Sequence, residues 1–230
     1  MDSLISAHVS ILKRLGDNSD AGSMANRMRR RRFAFFLSLL DTLPRPLRIL
    51  DVGGTQQFWT AMLSGAPSGV HVTLLNLETQ PVTGAMFDSV AGDARDLGRY
   101  GDKSFEVVFS NSVIEHIGPR FSDQRRMAEE VRRVGRRYFV QTPNRRFPLE
   151  PHFLTPWFQF FPIELRTWLV SHFSVGWYPR TPDRAKARRE VESIVLLNEV
   201  QLRELFPDAR IYKERILGLT KSFVAYSGWD

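Results

Sequence analysis

The clearest chemical arrangement in this 230-residue chain is an acid followed by two glycines. Asp51 ends the short apolar run Arg48-Ile-Leu-Asp, and Gly53-Gly54 follow after one valine. Glycine carries no side chain to hold a ligand away from the backbone. A helix starting just beyond would offer unpaired N–H groups to a polar or anionic group. The same pattern also occurs in ordinary strand–turn–helix links, so the rest of the chain must decide its meaning.

Four further segments share its form. Val70 to Leu77 is apolar and ends at Asn76, with Glu78 two residues on. Asn76 lies about twenty-five residues past Asp51, near the spacing at which nucleotide-binding α/β domains place a ribose-binding acid. Ser89 to Leu97 puts Asp93 just past a short strand, with Ala94 beside it. Ser104 to His116 reads as a buried strand that breaks at Ser110-Asn111, and Arg137 to Thr142 ends at Pro143-Asn144. Strand-like runs that end in polar residues, most of them followed by helical stretches, predict a parallel sheet with its site at the strand C-termini. His116 and His152 are the candidate general bases, with Glu115 and Glu150 as neighbours that could orient them.

The ordered set Asp-Val-Gly-Gly, Asn-Leu-Glu, Gly-Asp-Ala, Ser-Asn-Ser-Val-Ile-Glu-His and Gln-Thr-Pro-Asn resembles class I S-adenosylmethionine-dependent methyltransferases. The closest group is the broad methyltransferase type 11 set, and the likeness spans roughly residues 30 to 230. It implies a doubly wound, mostly parallel seven-stranded sheet, with an aromatic-rich cap inserted after the fifth strand. It also implies S-adenosylmethionine as cofactor. Asp51, Gly53 and Gly54 match the motif that wraps the methionine part, and Asp93 with Ala94 matches the adenine contact. Asn111 matches the residue ending the fourth strand beneath the sulfonium. Asn76 stands where the family usually has the ribose-binding acid, so Glu78 is the alternative for that role. Thr55 and Gln57 replace small residues common in the first motif. No metal is implied.

Composition fits one catalytic domain, 24–230, preceded by a mobile tail or lid over 1–23. There is no run of eighteen apolar residues, as a spanning helix would need. The N-terminal residues lack a basic start and a cleavage pattern, so the expected location is cytoplasmic. The chain has no cysteine, which removes disulfides, thiolate metal sites and cysteine nucleophiles. The net charge of +7 lies largely in arginine runs. In Phe121 to Val134, Met127, Val131 and Val134 recur at helical spacing while the arginines point elsewhere, which predicts a solvated face.

Ala25 to Leu43 reads as a helix closed by Pro44 and Pro46. Asn198 to Phe206 reads as a capped helix, followed by two strands joined across Leu217 to Thr220. The resemblance places the last strand antiparallel between the fifth and the sixth. The segment from about 147 to 190 is dense in Phe and Trp and broken by prolines. An apolar wall with few polar groups suits a hydrophobic, small-molecule acceptor, and Trp and Phe beside arginine also suit peripheral membrane contact. The expected activity is O- or C-methylation of such an acceptor by direct displacement. An RNA methyltransferase and a non-catalytic scaffold of the same fold are the alternatives. Ser-Asn-Ser-Val ends the fourth strand in place of a Pro-Pro-Tyr type of motif, and no RNA-binding module is recognisable, so nucleic acid is not the expected partner.

Overall fold

The structure is a computed structural model that describes residues 22–63 and 68–229. Most of the expected N-terminal tail lies outside these residues. Two compact units result: a sheet unit of Phe36–Asn144 and the chain from Val195 on, and a smaller unit built mainly on Arg145–Ile194.

The sheet unit holds seven strands: β1 (Leu47–Val52), β2 (Val70–Asn76), β3 (Phe87–Ala91), β4 (Val107–Asn111), β5 (Tyr138–Pro143), β6 (Arg210–Ile216) and β7 (Leu219–Ser227). Their order is β3-β2-β1-β4-β5-β7-β6. The first five are parallel, and β7 runs antiparallel between β5 and β6, the position implied by the resemblance. All five predicted strands form, each ending at or beside the polar residue that marked it. The β6–β7 hairpin turns tighter than the four residues expected. Leu217 and Gly218 both take positive φ, which matches the strand twist in a two-residue turn, so β7 begins at Leu219.

A parallel sheet must be covered on both faces, and its strands show why it can be. In β4, Val108 points to one face while Phe109 points to the other, as period-two alternation requires. The first face packs on α3 (Phe121–Val134) through Met127, Ala128, Val131 and Val134, all fully buried. Met127, Val131 and Val134 are the positions the helical spacing predicted. The second face collects aromatic rings: Phe109 lies 4.6 Å from Phe36, 5.7 Å from Trp59 and 5.7 Å from Phe139, centroid to centroid. Phe36 belongs to α1 (Met24–Leu40) and Trp59 to α2 (Gln56–Met62). α1 ends three residues before Leu43, and the backbone then tightens into turns from Asp41 to Leu43. A further helix, α6 (Glu199–Leu205), opens on a reciprocal capping box between Asn198 and Gln201.

The smaller unit contains α4 (Ile163–His172) and α5 (Arg184–Glu192), preceded by a single 3₁₀ turn over Phe158–Phe160. Phe153 stacks on Phe158 at 4.3 Å and on Tyr178 at 4.7 Å. Gly176 has φ +58, and a Cβ there would lie 2.3 Å from the Phe153 backbone, so the packing excludes a side chain. Trp157, Phe160, Trp168, Phe173 and Trp177 remain about half exposed.

Candidate functional site

Asp51 sits on β1 opposite Phe109 of β4, and therefore points to the aromatic face. It is 1% exposed. Its Oδ2 accepts from the Trp59 indole Nε1 at 2.6 Å. Burial pushes its carboxyl up to about 7 from an ordinary 3.8, and the Trp59 hydrogen bond pulls the other way.

The glycine turn lies directly on this group. Gly53 has φ +75 and donates its N–H to Leu75 O at 2.8 Å. A Cβ at Gly54 would stand 1.7 Å from Asp51 Oδ2, so only glycine fits. Asn76, at the end of β2, donates Nδ2 to Gly54 O at 2.9 Å, which ties the turn to the neighbouring strand. Thr55, one of the departures from the small-residue pattern, caps α2 by accepting from Phe58 N. Gln56 bonds the Thr83 backbone in both directions, Nε2 to O and N to Oε1, each at 2.8 Å.

Beyond β3, Asp93 accepts from the Arg95 backbone N–H and from its guanidinium, at 2.6 Å for Nη2. These bonds hold its carboxyl below the usual range. Arg95 Nη1 reaches Asp123 at 3.3 Å, linking this loop to α3. Ala94 is buried in the sheet core, whereas Glu78 is exposed.

Asn111 ends β4, and Ser112 follows with φ 57, a left-handed conformation uncommon outside glycine. Ser112 is held there by Gln141 of β5: its N–H donates to the backbone O at 3.1 Å and its Oγ pairs with Oε1 at 2.7 Å. Backbone strain of this kind clusters at functional sites. Next comes a 3₁₀ turn, Ile114–His116. Glu115 in it is fully buried, accepts from Thr142 Oγ1 at 3.1 Å, and receives Val195 N–H on its carbonyl. His116 is exposed.

Asp51, Gly53, Gly54, Asn76, Asp93, Ala94, Asn111 and His116 thus all lie at or just past strand C-termini of the sheet unit, and His152 belongs to the other unit. There, Glu150 is 2% exposed, and its Oε2 accepts the backbone N–H groups of His152 and Phe153. Its Oε1 lies 2.7 Å from His152 Nδ1. A carboxylate only accepts, so this bond places the ring proton on Nδ1 and leaves Nε2 as the acceptor.

Sequence reasoning passed over Trp59, Gln56, Ser112 and Gln141. Trp59 had a usable signal, because a buried indole N–H needs an acceptor and Asp51 is nearby in the chain. Three of the four arginines of α3 form ion pairs: Arg125 with Glu204, Arg132 with Asp208, and Arg133 with Glu130 and Asp102. No described helix is long and apolar enough to cross a membrane.

The sequence model of the methyltransferase domain family matches residues 50–138, the stretch from β1 into β5. Among curated proteins none matches the chain. The fold is shared with the crystallised CurJ carbon methyltransferase at 13% identity and a TM-score of 0.57, over 98% of this chain and 69% of that one. It is shared also with a Bordetella parapertussis protein described as a "possible exported protein", at 14% identity and a TM-score of 0.54. That match covers 86% of this chain and 67% of the other. The methyltransferase-domain sequence pattern thus lies on β1 to β5 of a seven-stranded sheet ordered β3-β2-β1-β4-β5-β7-β6, in a fold shared with these two crystallised proteins.

Proposed function

We propose that this protein is a class I S-adenosylmethionine-dependent methyltransferase that acts on a small, hydrophobic or lipid-like acceptor at oxygen or carbon. The observation that carries this reading is the smaller unit's run of half-exposed aromatics, Trp157, Phe160, Trp168, Phe173 and Trp177. Surfaces rich in indole and phenyl rings favour apolar or interfacial ligands.

The residues at the strand ends suit the cofactor. The backbone of the Gly53-Gly54 turn would hold its amino-acid end, and Asn76 Oδ1 or the exposed Glu78 would accept from a ribose hydroxyl. Asp93, kept ionised by Arg95, would accept from the adenine amino group, with buried Ala94 next to it in the chain. Asn111, set by the strained Ser112, closes the site at β4. When bound, S-adenosylmethionine supplies a methyl carbon on a cationic sulfur, open to direct displacement by the acceptor. The protein's part is mainly alignment and exclusion of water. For a hydroxyl acceptor, His152 Nε2 takes the released proton while Glu150 holds the ring. His116, exposed on the turn after β4, is the second candidate for this role.

Calorimetric titration with S-adenosylmethionine and S-adenosylhomocysteine tests the cofactor side. Micromolar binding that is lost in a folded Asp93→Ala protein is the expected result; unchanged affinity in that variant would remove Asp93 from the site. Methyl transfer to hydrophobic hydroxyl or carbon acceptors, screened with the wild-type protein, then tests the acceptor class.

A further inference from the structure

We infer that Trp59 is a positioning residue for cofactor binding, acting through Asp51 on the glycine turn. The inference rests on the reading that the amino-acid end of the cofactor lies over Gly53-Gly54.

Three observations carry it. First, the Trp59 ring is fully buried and its orientation is set by its neighbours: Phe36 at 6.2 Å edge-on, Phe109 at 5.7 Å and Phe58 at 6.4 Å. Its indole N–H therefore has one direction, toward Asp51 Oδ2 at 2.6 Å. Thr55 caps the helix start and so places Trp59 one turn into α2.

Second, the Asp51 carboxylate cannot swing without disturbing the turn. The Cβ position of Gly54 is 1.7 Å from Oδ2 and 2.1 Å from Cγ, so the carboxylate lies against the Gly54 backbone itself. Rotating it drives an oxygen into that backbone or away from its support. The indole N–H is the group that selects the rotation observed.

Third, the turn is held from its other side as well. Gly54 O accepts from Asn76 Nδ2 at 2.9 Å, and Gly53 N–H donates to Leu75 O at 2.8 Å. The turn is thus gripped between β2 and the Asp51–Trp59 pair. With Asp51 only 1% exposed, its role is support beneath the turn rather than contact with the ligand. Removing the indole N–H releases one of the two grips and leaves the other.

The test compares two ligands that differ in one part. S-adenosylhomocysteine carries the amino-acid end, and 5′-methylthioadenosine lacks it while keeping the nucleoside. Trp59→Phe keeps an aromatic ring and deletes the N–H. Losing one hydrogen bond to a carboxylate corresponds to about tenfold in affinity. We expect about that loss for S-adenosylhomocysteine and less than about twofold for methylthioadenosine. Phe36→Leu disturbs the same aromatic cluster without touching the N–H, and should lower thermal stability yet keep the wild-type affinity ratio of the two ligands.

Unchanged S-adenosylhomocysteine binding in Trp59→Phe overturns the inference, as does an equal loss for both ligands, which would mark a merely structural role. Wild-type protein that binds neither ligand overturns the cofactor reading, and this one with it. A measurement without substitution serves should Trp59→Phe not fold. The indole N–H resonance of Trp59 in ¹⁵N-labelled wild-type protein should shift on adding S-adenosylhomocysteine and stay in place on adding methylthioadenosine. Equal shifts from both ligands would overturn the inference.

Discussion

Asp51→Asn should make the cofactor-free protein more stable at neutral pH, and by a predictable amount. Asp51 is almost wholly enclosed, and burial raises its carboxyl to about 7 against 3.8 for the exposed group. Between those values the folded protein holds a proton on Asp51 that the unfolded chain has released. The unfolded state therefore binds fewer protons, and stability falls as pH rises, by about 1.4 kcal/mol per pH unit for this group. Below pH ~4 both states are protonated and the group imposes no charge penalty. Above pH ~7 both are ionised and the cost levels off at about 4 kcal/mol, the full gap between the two values. Asparagine cannot ionise, while its Oδ1 can still accept from the Trp59 N–H. Urea unfolding of wild type and Asp51→Asn from pH 4.5 to 8 measures the difference, in which the titration of all other groups largely cancels. The variant should gain on the wild type steadily up to about pH 7 and hold a constant lead beyond. Parallel curves over the whole range would show that Asp51 titrates normally, and would refute the claim that its enclosure dominates its hydrogen bond.

His152→Gln should lower kcat toward a hydroxyl acceptor by roughly 10²–10⁴-fold while leaving cofactor affinity unchanged, since it removes a proton acceptor and no cofactor contact. Steady-state kinetics beside calorimetry separates the two, and a kcat equal to the wild type's would remove His152 from the chemistry. Gly54→Ala places a Cβ 1.7 Å from Asp51 Oδ2, where strand and turn leave little room to give. It should cost about 1–3 kcal/mol in chemical denaturation and weaken S-adenosylhomocysteine binding. Wild-type stability in this variant would mean that the turn moves aside freely.

Most of the sheet was legible in the sequence because each buried strand is an apolar run that stops at a polar residue. β4 and β5 carry that signal most cleanly, since both faces of a parallel sheet are covered. β1 carries it past an exposed Arg48, while β2 alternates through His71 and Thr73 before its apolar end at Leu74-Leu75 and polar Asn76. α3 and α6 were legible for a similar reason: Met127, Val131 and Val134 recur at helical spacing, and Asn198 announces a cap, whereas α4 and α5 were hidden in the proline-broken aromatic segment. Within the candidate site, what could be read was the set of residues whose types are unusual where they stand, namely Gly53, Gly54, Asp93 and Asn111. The residues that shape those groups were not legible in the same way. Gln141 supports Ser112 from twenty-nine positions away, and Glu115 meets Thr142 from twenty-seven. Such pairs exist only because β4 and β5 lie side by side, so neither member looks unusual in its own segment.

Asp51 and Trp59 mark the boundary between these two kinds of information. They are eight residues apart, close enough for local reasoning, yet their contact depends on which face of β1 the acid takes. That face is fixed by the register that sets Asp51 opposite Phe109, a residue nearly sixty positions further on. One residue of slip would turn Asp51 to the α3 side, away from the indole and out from under Gly54. The Gly54 requirement, the raised Asp51 carboxyl and the fixed indole are therefore three consequences of one register. The pH dependence of stability and the ligand split in Trp59→Phe probe that register from independent directions. Agreement between them would place the support of the glycine turn in the packing of the sheet as well as in the glycines themselves.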